Sequence, residues 1–375
     1  MNPRDFILSR SGRARRTREG YWSYHPDPLP PPLEWSPAML AALSDAERSL
    51  GQLAATTRLL SEHDTFATLL DAQEAVCSCR IDGFAVPLSD LLQSIHSLAS
   101  TQPDLSEIAC ARNCYQALSR LRRAPANYSV SLLLSLHALV FPHDSEAGAF
   151  RTEQNWIGPP GSTLEAAAFV PPPPERLERG LDQLASFITS ETRLPGIIRL
   201  ALAHYQFEAL HPFPKGNGRL GRLLAAALPI YFPDGQLPLL YLSDQLLARR
   251  QDYFDLLLAV SQRSAWEEWL VFFLEAAAAS AQVTMQRLNA LQELKQEYQQ
   301  MVSSARNAPR LGRLLDFAFS QPVFTVRGAE AALGVNFAVA QRYANQLEAY
   351  GVIEETTGQA RNRIYRLAGI LDILI

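Results

Sequence analysis

Long apolar runs are missing from this chain: no stretch approaches the ~18 uninterrupted apolar residues that a membrane-spanning helix needs. Cysteine is scarce, four in 375 residues, and falls as Cys77-x-Cys79 and Cys110-x-x-x-Cys114. Neither spacing is the Cys-x-x-Cys of a structural zinc turn, and no His pair stands nearby, so free and mostly buried thiols in a reducing compartment are expected. The first twenty residues lack the apolar core of a secretion signal and carry six arginines instead. A cytoplasmic protein without membrane partners is therefore expected. Charge is also modest, with 19% charged residues and a net charge of −4, which excludes a global basic field for nucleic acid or anionic lipid. No internal repeat of 20 to 50 residues is apparent.

What is present is apolar material: 47% hydrophobic residues, with 17 Phe, 12 Tyr and 5 Trp. That offsets chain entropy in two or three domains. Residues 1–35 are basic and then proline-rich, which reads as an extended arm with regular structure starting near Ser36. From there to about residue 140, apolar residues recur at helical spacing, with breaks at Pro87, Pro103 and Pro125. Residues 150–174 suspend the pattern: Gln154-Asn155-Trp156-Ile157-Gly158, a Pro159-Pro160-Gly161-Ser162 turn and Ala168-Phe169-Val170 predict a short hairpin with a wide loop. Helices resume, including Leu194 to Leu210, Leu220 to Ile230, Tyr241 to Leu258 and Trp266 to Lys295. After residue 305, a helix, a short strand, two helices about a Gly334-Val335 turn and two β-like runs follow in the order of a winged helix-turn-helix.

The chemistry concentrates at 211–222, His-Pro-Phe-Pro-Lys-Gly-Asn-Gly-Arg-Leu-Gly-Arg. Gly216 and Gly218 permit unusual backbone angles, and a helix starting near Gly218 turns its free N–H groups and positive dipole end into the loop. Asn217 adds a side-chain donor. Arg219 and Arg222, three apart, share one helical face and can reach a polyphosphate. His211 closes the preceding helix, where a general base for a hydroxyl would sit.

These residues resemble the Fic family, whose signature is His-x-Phe-x-(Asp/Glu)-Gly-Asn-Gly-Arg-x-x-Arg; the sequence matches every fixed position but one. The proline-rich arm, Phe150-Arg151-Thr152, Gln154 to Gly158, the Tyr241 and Tyr253 segments and the C-terminal winged helix extend the likeness over roughly residues 20–375. The resemblance implies a mainly α Fic-type helical fold with one β-hairpin flap, plus a C-terminal winged helix-turn-helix. It implies a 36–110 helical region, a 111–300 catalytic domain and a 305–375 winged helix. It also implies AMP transfer from ATP to a Ser, Thr or Tyr hydroxyl of a target protein. In that reading His211 deprotonates the hydroxyl, while Gly216, Asn217 and Gly218 stabilise the α-phosphate. Arg219, Leu220, Gly221 and Arg222 belong to the nucleotide-binding run, with the two arginines on the β and γ phosphates. Gln154, Asn155, Trp156, Ile157 and Gly158 form the flap that docks an extended target segment. Tyr253, Phe254 and Ser261 fall where the family lines its adenine pocket.

Two departures stand out. Lys215 occupies the acidic position that ligates Mg²⁺ in the family, and an ammonium is no oxygen ligand. Ser78-x-x-x-Asp82-Gly83 resembles the inhibitory Ser/Thr-x-x-x-Glu-Gly motif. With Asp one methylene shorter than Glu, a long, water-mediated or missing pair with Arg222 and weak inhibition are expected. The alternative to a transferase is a nucleotide-binding regulator or scaffold. Its C-terminal region has eight arginines against six acids and is open to DNA, to a protein or to a second copy of the chain.

Overall fold

The computed structural model describes residues 1–60, 63–96, 106–123, 128–190, 192–227, 239–359 and 363–375. The expected break points Pro103 and Pro125, the helix end at Ile230 and Arg361 lie outside these residues. The fold is mainly helical. Helix α1 (Pro37–Leu59) starts where Ser36 caps it, the Ser36 Oγ accepting from the Met39 N–H at 3.1 Å with Pro37 in the first turn. Then come α2 (His63–Ile81), α3 (Leu88–His96), α4 (Glu107–Arg123) and α5 (Val130–Val140). Beyond an irregular stretch follow α6 (Leu177–Thr189), α7 (Gly196–Leu210), α8 (Asn217–Ala227), α9 (Ser243–Ala248), α10 (Arg250–Arg263) and α11 (Trp266–Ser303).

Helices α7 and α8 form the centre. Both are buried on nearly every face, the pattern of core helices rather than surface ones. The Trp269 indole N–H of α11 donates to the Ala201 carbonyl at 3.0 Å, and its ring stacks on His204. With 38 residues α11 is about 57 Å long and lies along α1, where Gln282 Nε2 donates to Ser49 Oγ at 3.4 Å. The turn joining α7 to α8 is the 211–216 segment, so the chemistry is mounted between two rigid elements.

The N-terminus departs from the expected extended arm. A 3₁₀ turn (Pro3–Phe6) leads into an antiparallel pair, β1 (Gly12–Arg16) and β2 (Trp22–Pro26), in the register Ala14 opposite Tyr24. Tyr24 is fully buried, its ring 5.4 Å from Phe6 and 5.5 Å from Phe169, and its N–H donates to the Val170 carbonyl at 2.8 Å. The basic side chains disguise this strand: Arg13, Arg15 and Arg16 point outward while a few aromatics do the anchoring. The 150–174 hairpin is present in its narrowest form, one antiparallel pair in which Ile157 and Phe169 exchange both backbone hydrogen bonds at 2.8 and 3.0 Å.

At the C-terminal end, α12 (Ala308–Ser320), β3 (Val323–Thr325), α13 (Val326–Leu333), α14 (Phe337–Ala349), β4 (Ile353–Glu355) and β5 (Ile364–Leu367) follow the expected order, and a short helix α15 (Ile370–Leu374), not expected, comes after them. The three strands form one antiparallel sheet in the order β3-β5-β4. This region is packed onto the helices: Phe319 of α12 meets Phe66 of α2 at 6.3 Å between ring centres, and the Tyr298 hydroxyl of α11 donates to the Ala368 carbonyl at 3.0 Å. Among the described residues, no helix is long and apolar enough to cross a membrane.

The N-terminal hairpin is thus part of the core. Tyr24→Ala removes a fully buried aromatic and should lower stability by ~3–5 kcal/mol, read as a shift of the urea midpoint; an unchanged midpoint would leave residues 1–26 a loose arm.

Candidate active site

His211 ends α7 in the left-handed region (φ 48°, ψ 57°), its N–H donating to the Phe207 carbonyl at 3.1 Å. This sharp exit ends α7 and begins the short turn that leads into α8. The His211 ring is half-buried and its Nδ1 lies 3.3 Å from the Glu208 carbonyl oxygen. Burial lowers the His211 pKa to about 4, helped by the Arg151 guanidinium and opposed by the Glu208 carbonyl and the Asp82 charge. The ring is therefore neutral at pH 7, with Nδ1–H directed to the carbonyl and an Nε2 lone pair left to take a proton.

Arg151 holds this turn from the hairpin side. It is buried and donates from Nε to the His211 carbonyl at 2.8 Å, and from Nη2 to Pro172 and Leu210; its own N–H donates to the Pro212 carbonyl at 3.0 Å. Asn155 Nδ2 donates to the Phe213 carbonyl at 3.0 Å, and Gln154 Nε2 to that of Pro171 at 3.1 Å. Of the 154–158 segment, these two are spent on positioning, whereas Trp156 and Ile157 are exposed beside Gly158.

Asn217, expected beside the phosphate, is held by its own turn. It is buried, its Oδ1 accepting from the Phe213 N–H and its Nδ2 donating to the Phe213 carbonyl, both at 2.8 Å. The side chain thus closes the turn onto itself. The first helical bond of α8 runs from Leu220 to Gly216 at 3.1 Å, so the N–H groups before it have no partner inside the helix. Gly216 is required there: its φ is +76°, and a Cβ would lie 2.3 Å from the Phe141 ring.

Further along α8, Leu220 is fully buried, and Gly221 faces α7, its carbonyl 3.3 Å from His204 Nδ1. Tyr253 and Ser261, expected beside a nucleotide base, also lie in the core: the Tyr253 hydroxyl pairs with His204 Nε2 at 2.8 Å and Ser261 Oγ with the Tyr205 hydroxyl at 2.9 Å. Eight residues apart on α10, they both face α7 and so fix the helix that ends in His211. Phe254 is exposed, with the Arg250 guanidinium 4.9 Å from its ring.

The expected weakness of the Asp82 contact is overturned. Its Oδ1 accepts from Arg222 Nη2 at 2.7 Å, and its Oδ2 lies 3.0 Å from Arg219 Nε. Arg222, itself buried, also donates to Ser78, from Nε to Oγ and from Nη2 to the carbonyl, each at 2.9 Å. The short side chain reaches because backbone replaces the missing methylene. Ser78 lies in the last turns of α2, Gly83 turns the chain with φ +95°, and Arg250 Nε pins the Ile81 carbonyl at 2.6 Å. Across the gap, Gly218 is bare where a Cβ would stand 2.8 Å from Arg222 Nη1 and 3.4 Å from Asp82 Oδ1.

Lys215 is exposed, ion-paired with Asp144, and its Nζ lies 5.3 Å from the Phe141 ring centre. The residues at 211–222 therefore do not fit the magnesium ion implied by the resemblance: the position for its oxygen ligand holds an ammonium, and the carboxylate beside it is already paired. A cavity of about 550 Å³, lined by Phe84, Cys110, Phe141, Asp144, Lys215 and Arg219 among others, opens beside this pair. Asp144 and Arg151 were missing from the sequence-based site; Arg151 was visible only as part of the Phe150-Arg151-Thr152 run.

Two family models match the chain: the Fic/DOC family N-terminal over residues 40–120 and the Fic/DOC family over residues 127–228. Among curated relatives, a probable protein adenylyltransferase of Aquifex aeolicus is 25% identical over 167 residues, 44% of this chain and 49% of that protein. Protein adenylyltransferase fic-1 of Caenorhabditis elegans is 33% identical over 110 residues, 28% of this chain and 20% of that protein. The chain thus spans half or less of the length of these relatives. In fold, a Fic family protein from Desulfovibrio desulfuricans superposes with a TM-score of 0.58 at 18% identity, covering 91% of this chain and 99% of that one. Caenorhabditis elegans Fic-1 does so with a TM-score of 0.51 at 20% identity, over 68% and 75% of the two chains. The helical fold, the two matched regions and the 211–222 signature agree, and the chain belongs to the Fic/DOC family.

Proposed function

We propose that this protein is a protein adenylyltransferase whose resting state is restrained by Asp82. The observation that carries the reading is His211 at the left-handed end of α7, on the turn that leads directly into α8 with its Gly216–Gly218 start and its Arg219 and Arg222. A target Ser, Thr or Tyr hydroxyl gives its proton to His211 Nε2 as its oxygen attacks the α-phosphorus of ATP; the bond to pyrophosphate breaks and AMP stays on the target. The α8 N–H groups stabilise the developing charge, with Gly216 and Gly218 giving the phosphate close access to the backbone. Arg219 and Arg222 then take the outer phosphates. The names of the adenylyltransferase relatives support ATP and a protein target. The exposed 156–158 edge suits an extended segment added as a strand.

In the same reading the 36–110 region restrains the 111–300 catalytic region, and the protein works in the cytoplasm. Residues 305–375 form a winged helix-turn-helix whose charges favour a protein partner over DNA. Arg366 is spent on Glu354 at 2.6 Å and Arg310 on the Tyr343 hydroxyl at 3.0 Å, and Phe337 is exposed on α14.

Labelling with ATP carrying a radioactive α-phosphate tests the reading. His211→Ala should reduce label on protein by about 10²–10⁴-fold; equal labelling would sink it. Because the His211 pKa is lowered to about 4, the base stays unprotonated above it, and the rate should be flat from pH 8 down to about 5.5 before falling. A midpoint near the ordinary histidine value would contradict the site geometry.

Asp82→Gly releases two guanidiniums that the outer phosphates need. Charge-assisted hydrogen bonds are worth ~1.5–3 kcal/mol, so ATP affinity by calorimetry should rise about 10- to 100-fold. An unchanged affinity would show that Asp82 does not compete with nucleotide.

Lys215→Asp, placed in the Asp82→Gly chain, restores an oxygen ligand and frees Asp144 as a second one. Labelling should become dependent on Mg²⁺ and rise by about tenfold or more. Robust Mg²⁺-dependent labelling by the unmodified protein would mean that a ligand set outside 211–222 has been overlooked.

A further inference from the structure

The transfer chemistry leaves one cluster unused. Cys79 on α2 faces Cys110 and Cys114, which stand four apart on one face of α4. The three sulfur atoms lie within 4.8 Å of one another, Cys79 and Cys110 at 4.0 Å, and all are free thiols. Cys77, two residues from Cys79 on α2, stands apart and pairs with Gln73 Nε2 at 3.5 Å.

A zinc–thiolate bond of about 2.3 Å puts two sulfurs on one ion roughly 3.8–4.0 Å apart. The cluster needs only sub-ångström closure to reach that spacing. Its donors are all sulfur, which selects a thiophilic ion and excludes Mg²⁺ and Ca²⁺. Charge does not oppose it: three thiolates around a dication leave one negative charge, and the Arg219 guanidinium, which Asp82 and Cys110 share, donates from Nη1 to Cys110 Sγ beside it. Access is also built in, because Cys79 and Cys114 are buried whereas half-buried Cys110 lines the 550 Å³ cavity beside Phe84 and Phe141.

We propose that Cys79, Cys110 and Cys114 form a binding site for a thiophilic divalent cation of the zinc class, with three protein thiolates and a fourth position facing the cavity. On binding, three S–H protons pass to solvent as three metal–sulfur bonds form, and no electrons are transferred. Such an ion ties α2 to α4, and Cys79 precedes Asp82 by three residues, so it fixes the helix that presents the carboxylate. The site stands whether or not the protein transfers AMP.

The test uses the reduced, untagged full chain under anaerobic conditions, titrated with Co²⁺ and then Zn²⁺. A thiolate-to-cobalt charge-transfer band should saturate at about one equivalent and be bleached by Zn²⁺. Loss of outer partners alone costs metal sites about 10–100-fold, so Cys110→Ser should weaken Zn²⁺ by more than about 100-fold, with Cys77→Ser unchanged. Zinc-edge X-ray absorption on the unmodified chain, which needs no variant to fold, should show three sulfur neighbours at about 2.3 Å. The proposal is overturned by a missing charge-transfer band, by a shell of oxygen and nitrogen only, or by undiminished affinity in Cys110→Ser. It is equally overturned if the reduced chain takes up no metal and merely forms a Cys79–Cys110 disulfide in air.

Discussion

The Asp82 carboxylate between Arg219 and Arg222 is the contact on which the rest of the site depends. It joins the end of α2 to the first two turns of α8, two elements separated by about 140 residues of chain. Both guanidiniums are nearly shielded from water, so neither could remain there without a counter-charge; breaking such a buried pair from one side typically costs ~3–5 kcal/mol. The arginines required for phosphate are therefore satisfied in the resting protein by the protein itself. Whatever binds the α8 N-terminus through its outer phosphates has to outbid that carboxylate.

The geometry of this contact explains several otherwise unrelated positions. Ser78 presents its hydroxyl and carbonyl to Arg222, and Asp82, just past the end of α2, adds a carboxylate oxygen, so the end of α2 and the residue after it supply three of the acceptors around one guanidinium. Gly83 and Gly218 supply the closeness that the short aspartate lacks. Arg250 holds the Ile81 carbonyl from α10, linking the same helix end to the segment that packs on α7. The restraint on the arginines and the seating of His211 are consequently mechanical neighbours, joined by α7, α8 and α10.

Much of this was legible in the residues, and the remainder has identifiable causes. Helical periodicity and the 211–222 signature depend on neighbours in the chain, so the helices, the His211 turn and the arginine pair could be read directly. The N-terminal hairpin could not: its strands have outward arginines and the inward anchors Ala14 and Tyr24, whose partner Phe169 is remote in sequence. Asn217 and Tyr253 carry groups suited to a ligand, and their engagement by Phe213 and His204 is decided by packing. Side-chain length alone misjudged Asp82, because reach is set by where the backbone stands. The meeting of Cys79 with Cys110 is likewise a product of α2 lying on α4, invisible in the spacing of either pair.

The charges around Arg222 show how the site can be both restrained and receptive. Glu74 is buried and Glu208 half-buried behind the arginines, and desolvation raises each pKa to about 7, opposed at Glu74 by two hydrogen bonds from Ser243 and at both by Arg222. Both acids are thus shifted toward the neutral form, whereas Asp82 contacts both guanidiniums directly. Arg219 and Arg222 carry two positive charges against that one contact carboxylate, with the two acids behind them held toward the neutral form by burial. Glu208 leaves Oε1 without a hydrogen-bond partner, and since the Asp82 charge helps keep it neutral while Arg222 favours its ionised form, withdrawal of Asp82 shifts it toward the carboxylate, a reserve counter-charge while no anion has arrived. Arrival of polyphosphate removes the need for that reserve. An acid that burial biases toward its neutral form behind the arginines thus lowers the cost of exchanging one counter-charge for another, which a permanently ionised group at the same place would not do without repelling the incoming phosphate.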